Sequence, residues 1–229
     1  GVFRGDIEID AATSVVRGGD LDDRAAAVAL RRLFDQQLLS FDDASGRAGV
    51  SAAVRAFARE RLLASEDVDA VTARHGEWFA AVAERFGDEP GVEQELPMSL
   101  LAPDEGDVLA ALDASIESDR PTVAYRILVA LGAKWSSIGH PEVGEQAANW
   151  LSTRSPSDGE EMWAAAVARA CFERSGDPDS PIHQFAEEAV AIAEMVGDVE
   201  SPRWLSPSQH TAGEAGTARS VRGDMADRP

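Results

Sequence analysis

Cysteine and lysine are almost missing: Cys171 is the single thiol and Lys134 the single lysine among 229 residues. One cysteine cannot close an internal disulfide, which suits a reducing compartment such as the cytoplasm. A basic complement made almost wholly of arginine reads as coding bias from a GC-rich genome rather than as chemistry. Long apolar runs are missing too. The longest, Ala25 to Leu30 and Ile127 to Ala133, fall far short of the ~18 residues that span a bilayer. No basic segment followed by an apolar one opens the chain, so no secretory signal is expected. The opening residue is Gly1 rather than Met, and the expectation is a piece of a longer cytoplasmic protein.

What is present is enough for a core. Hydrophobic residues make up 44% and charged residues 27%, which excludes wholesale disorder and low-complexity polymers. The net charge of −20 is unevenly spread. Residues 87–200 hold 6 basic and 23 acidic side chains, a net of −17, against −4 for 1–86 and +1 for 201–229. A segment that acidic repels phosphate backbones and anionic lipid, so DNA and membrane are poor partners for the middle of the chain.

Helical periodicity dominates. Val68, Val71, His75, Trp78, Val82 and Phe86 recur at steps of three and four and predict one helix over 68–86. Val108, Leu112 and Ile116 predict another over 104–118, and Val123, Ile127, Leu131, Trp135 and Ile138 a third over 121–138. Gly139 suits a helix end and Pro141 a new helix start. Two more helices are expected at about 159–175 and 181–197. The one β signal is early: Leu38 to Phe41, then Asp42, Asp43 and Gly46, with Val50 beyond, predicts two short strands around a turn. They fall between helices expected at about 21–36 and 51–64. Helix, helix, hairpin and helix is the outline of a small winged helix. The expected organisation is a winged-helix-like domain over 1–64, a connecting helix over 65–86, a Pro- and Gly-rich linker over 87–103, helical hairpins over 104–198 and a disordered tail over 199–229.

Several stretches resemble a known family. Gly1-Val2-Phe3-Arg4-Gly5 followed by Ile9-Asp10-Ala11-Ala12 is similar to the "SVFxGGFxLxAAE" opening of a domain in bacterial STAND-type ATPases. These include LuxR-type and SARP-type transcriptional regulators. Leu33 to Leu39 resembles the family's "LVDKSLL", and Val54-Arg55-Ala56-Phe57-Ala58-Arg59-Glu60-Arg61-Leu62 its "RYRLLETVREYARERL". Arg74-His75-Gly76-Glu77-Trp78-Phe79 with Ala83-Glu84 looks like "RHAxWFxxLAE". Ala111-Leu112 to Asp119 and Leu128 to Trp135 are similar to "ALxWALExGDxxLALRLAxALGxFW", and Gly139-His140 to Leu151 to "GHxxEGxxWL". The likeness runs in order over roughly residues 1–197. It implies a winged helix that follows an ATPase core, then α-helical hairpins of the tetratricopeptide kind, an α-solenoid fragment. The core itself is not in this sequence. A phosphate-binding loop needs Gly-x-x-x-x-Gly-Lys followed by Ser or Thr, and Lys134 sits instead before Trp135 in an apolar stripe. Where related ATPases place a Met-His-Asp sensor, this chain has Val50-Ser51-Ala52, with no imidazole or carboxylate for a nucleotide.

No side-chain set marks a catalytic centre, a metal site or a cofactor site. His75 falls in an apolar stripe and is expected to be a hydrogen-bonded core residue; His140, at a helix–helix turn, is expected to cap. His183 and His210 lack partners at ligand spacing. Cys171 beside Phe172 is expected to pack rather than react, and Glu160/Glu161 and Glu187/Glu188 to face solvent. Trp135, Trp150 and Trp163 are expected between helices. The reading is a non-enzymatic, mostly α interaction module of a signalling regulator, whose partner is another protein or a neighbouring domain. The final helix adds a candidate surface, Ile182, Phe185, Val190 and Ile192, wide enough to support weak self-association. The alternative is a DNA-binding regulator that places Arg55 and Arg59, one turn apart after the hairpin, on phosphates.

Overall fold

The computed structural model describes residues 1–18, 21–86, 98–131 and 140–154. Among these the chain is mostly helical, with one small sheet. A two-residue strand, β1 (Ile7–Glu8), runs directly into α1 (Ile9–Val16), and α2 (Asp23–Asp35) follows. The hairpin β2 (Ser40–Asp42) and β3 (Arg47–Gly49) comes next, then α3 (Ala52–Leu63) and α4 (Val68–Glu84). After a 3₁₀ turn at Met98–Leu100 come α5 (Glu105–Glu117), α6 (Pro121–Leu131) and α7 (Pro141–Leu151).

Local chemistry accounts for the boundaries. The Asp22 carboxylate accepts from Ala25 N at 2.7 Å and starts α2, with Asp23 in the first turn and Arg32 in the last, complementing the helix dipole. Ser51 Oγ accepts from Val54 N at 3.3 Å and starts α3. Gln37 ends α2 in a left-handed conformation, φ 60°, and Leu38 N returns to Leu33 O. Asp119 (φ 55°) does the same after α5, where Arg120 N bonds Ser115 O. In the hairpin turn the Asp42 carboxylate accepts from Ser45 Oγ and Ala44 N, bonds that hold it below its ordinary pKa. Gly46 takes φ +70° in open space.

The sheet is antiparallel with order β1-β3-β2. Ile7 faces Ala48 and Glu8 faces Arg47, while Ser40, Phe41 and Asp42 face Gly49, Ala48 and Arg47. β3 is therefore central and β2 an edge.

One apolar core runs from Phe3 to Leu151. Phe3, Ala11 and Val15 from the N-terminal stretch pack with Phe79, Ala80 and Ala83 of α4, Val108 and Leu112 of α5, Tyr125, Ile127 and Leu131 of α6, and Val143, Ala147 and Leu151 of α7. The helix expected to be a connector, α4, is the centre of this packing: α1, α5 and α6 all lie against it. Within the stretch expected to be a linker, the 3₁₀ turn Met98–Leu100 is followed by Leu101, which is buried in the core. Residues 87–97 lie outside the described residues. So do the end of the third expected helix, Gly139, Cys171, both later helices, the tail and the strip Ile182, Phe185, Val190 and Ile192.

Candidate functional site

The deepest polar group in the described structure is a junction built on Asp107, in the first turn of α5. His75 Nε2 meets its Oδ1 at 3.1 Å, and both residues are about 1% exposed. The same carboxylate accepts from the backbone of Arg4 (2.7 Å) and Gly5 (3.2 Å). A carboxylate can only accept here, so Nε2 carries the hydrogen. Phe3 and Phe79 close the imidazole in, with ring centroids 5.4 and 4.6 Å away. Buried in this way, the pair fastens the N-terminal segment to α4 and α5.

A second tie uses Arg47. Its guanidinium forks onto the Asp104 carboxylate, and its Nε donates to Asp6 O at 3.1 Å. The pair lines an open cleft of about 340 Å³ with Glu8, Gly46, Arg85, Phe86 and Leu100. Because Arg47 is spent on Asp104 and Asp6, no converging pair of free cations is left there for an anion.

Exposed apolar surface is concentrated elsewhere. Among the described residues, the large apolar side chains left open are Leu21, Val28, Leu33, Leu38, Phe41, Phe57, Leu63 and Leu100. All but Leu100 lie between residues 21 and 63, on α2, the hairpin and α3 or, for Leu21 and Leu38, just outside the two ends of α2. Phe34 and Phe41 meet edge to face at 6.4 Å and join β2 to the end of α2. Phe34 also ends an apolar groove of about 330 Å³ between α1 and α2, lined by Ile9, Thr13, Ala27, Leu30 and Arg31. α3 has no buried residue; Phe57 is 58% and Leu63 65% exposed.

Arg55 and Arg59 do not form one exposed pair. Arg55 is half-buried and turns back, with Nη2 donating to Val50 O at 3.4 Å. It also lies by the Gly1 amine, whose pKa is lowered by burial and then by this guanidinium. Arg59 is exposed. The helix that precedes the hairpin is α2, with Arg24, Arg31 and Arg32 exposed alongside Asp22, Asp23 and Asp35.

His140 is at the N-cap position of α7 but makes no side-chain capping bond. Its ring bridges two carboxylates instead, with Nδ1 2.9 Å from Glu142 Oε1 and Nε2 2.6 Å from Glu105 Oε1. Trp150 is buried against Tyr125, ring centroids 5.4 Å apart, as a tryptophan between helices should be; Trp135 and Trp163 lie outside the described residues. No group of three or more His, Cys, Asp or Glu among the described residues is placed to hold a metal ion. No helix among them is long and apolar enough to cross a membrane.

No family model, no curated protein and no solved structure matches this chain.

Proposed function

We propose that the chain is a non-catalytic interaction module of a STAND-type signalling regulator, a winged helix followed by tetratricopeptide-like hairpins, working in the cytoplasm. One observation carries the reading: exposed apolar side chains gather on α2, the hairpin and α3, while the helices from α4 onward bury theirs. Such a patch is the usual mark of a surface that another protein or domain covers. The winged-helix part is supported by a hairpin set between helices and closed on its inner side by β1. The hairpin-repeat part is supported by α4, α5 and α6, consecutive helices that all pack on one another.

The DNA-binding reading has less behind it. Arg55 is turned inward, and the hairpin turn carries Asp42 and Asp43, which face a phosphate backbone with the wrong sign.

A photo-crosslinking residue placed at Phe57 or Val28, in cells that make the protein, tests the proposal. Cross-links to one protein, or to a neighbouring domain, that disappear with Phe41→Ser and Leu63→Ser support it. A duplex-DNA gel shift that weakens with salt and is lost in Arg59→Ala overturns it in favour of DNA binding.

A further inference from the structure

We propose that His140 is a protonation-dependent clamp that fastens the first turn of α7 to the first turn of α5. This holds whatever covers the α2–α3 surface, because it uses different residues.

The geometry carries the argument. Both ring nitrogens sit on carboxylate oxygens, Nδ1 on Glu142 at 2.9 Å and Nε2 on Glu105 at 2.6 Å. An ionised carboxylate only accepts, so both nitrogens must carry hydrogen, and the ring that satisfies both contacts is the imidazolium. One contact is local, two residues along α7; the other spans 35 residues and reaches α5. The local contact sets the plane of the ring and so aims Nε2 at Glu105. The bonds to Glu142 and then Glu105 raise the His140 pKa above its ordinary value, so these contacts favour the charged ring.

Loss of the proton leaves one nitrogen with a lone pair facing a carboxylate. Either tautomer gives up one contact, and the contact that survives has a neutral donor, with charge on the carboxylate alone. Among the described residues no other ion pair or side-chain hydrogen bond reaches the ring. Glu105 from α5 and Glu142 from α7 are the groups on the ring. Asp104 and Asp107, either side of Glu105, are already held by Arg47 and His75. On α6, Arg126 is held by Glu77 and Glu84. Arg4 packs close to Gly106, where its backbone N is committed to Asp107. Further along α7 the helix stays docked through Gln146 on Asp113 and Trp150 on Tyr125, so the clamp governs the start of the helix and leaves its end in place.

Because the folded-state pKa is raised, the clamp is fully made below the ordinary histidine value and is lost as pH rises through the raised one. The test is nuclear magnetic resonance on the full chain, reading the His140 ring titration and the amide protection of 141–151, with α4 as an internal reference. His140 is expected to titrate above about 6.5, and Glu105→Gln and Glu142→Gln are each expected to lower that value. Protection of α7 relative to α4 is expected to fall about three- to tenfold between roughly pH 6 and pH 9, with no fall in His140→Gln. Four results overturn the proposal. They are titration at or below about 6.5, a response to Glu142→Gln alone, a fall shared equally by α4, or a fall that persists in His140→Gln.

Discussion

His75 and Asp107, 32 residues apart, meet at 3.1 Å inside the protein, and Asp107 also receives the backbone N–H groups of Arg4 and Gly5. Three donors converge on one buried carboxylate, so its charge is met by hydrogen bonds and needs no arginine or lysine beside it. Replacing it leaves those donors buried without an acceptor. Asp107→Ala is expected to cost about 2–4 kcal/mol in urea unfolding and to abolish slow amide exchange at Arg4 and Gly5. Protection at both amides equal to that of the parent would show that other groups hold the segment.

Three backbone positions predict opposite signs. Gly18 has φ +151°, and a Cβ there would lie 2.6 Å from Arg74 Nη1, whose Nε already donates to Val15 O. Gly18→Ala is expected to cost about 1–3 kcal/mol. Gly46→Ala meets nothing within 4 Å and carries only the left-handed backbone cost, about 1 kcal/mol. Gln37→Gly removes that same cost at an exposed helix end and is expected to stabilise by a few tenths of a kcal/mol, up to about 0.5. Thermal melts of the three variants check the order.

Arg126 holds α6 to α4 through a fork on Glu84, at 2.6 and 2.8 Å, with its third nitrogen 2.6 Å from Glu77. The fork keeps Glu84 below its ordinary pKa. A lowered carboxylate contributes stability above the ordinary glutamate value, and that contribution is lost as pH falls through the lowered one. Arg126→Lys keeps the charge but not the fork, and both glutamates are largely open to water. The expected cost is about 1 kcal/mol or less, shrinking in about 1 M salt and vanishing at acid pH. A salt-independent cost would point to lost packing instead.

Phe57 and Leu63 are expected to matter for binding and not for folding. Phe57→Gln gives up an Arg61 guanidinium 5.2 Å from its ring centroid, worth about 0.5–1 kcal/mol, and little buried area. Melting within about 2 °C of the parent, with weaker cross-linking at this face, is the outcome that fits. A collapse in stability would mean that α3 is packed far more tightly than its exposure indicates.

How much of this was legible in the residues varies with the range of the interaction. The stripe through Val71, His75 and Val82 predicts α4 and the burial of His75, because a helix repeats its contacts every turn. Pro141 marks the start of α7 for an equally local reason. β1 was not legible: two residues, Ile7 and Glu8, become a strand only because Ala48 and Arg47 come to them from some forty positions away. Asp107 was not legible either, since an acid in a helix's first turn is ordinarily a solvated one. Nothing in the pattern announces that the backbone of Arg4 and Gly5 will reach it. Arg55 and Arg59 share a helix face by spacing, yet the turn of Arg55 toward Val50 depends on where the N-terminus passes, which spacing does not encode.

The Asp107 cradle has a consequence in time as well as in energy. It joins Arg4 to a residue 103 positions later, so this segment, once made, waits for a partner that is made well after it. At about 5–20 residues per second, that wait on the ribosome is of the order of 5–20 s. Closing so long a loop is slow in refolding too, after the local contacts of α4, α5 and α6 have formed. During that interval Phe3 and β1 are an unclaimed apolar hook just ahead of α1, open to chaperones or to the wrong strand edge. The strand ahead of α1 is thus made before the helices it joins and secured after them.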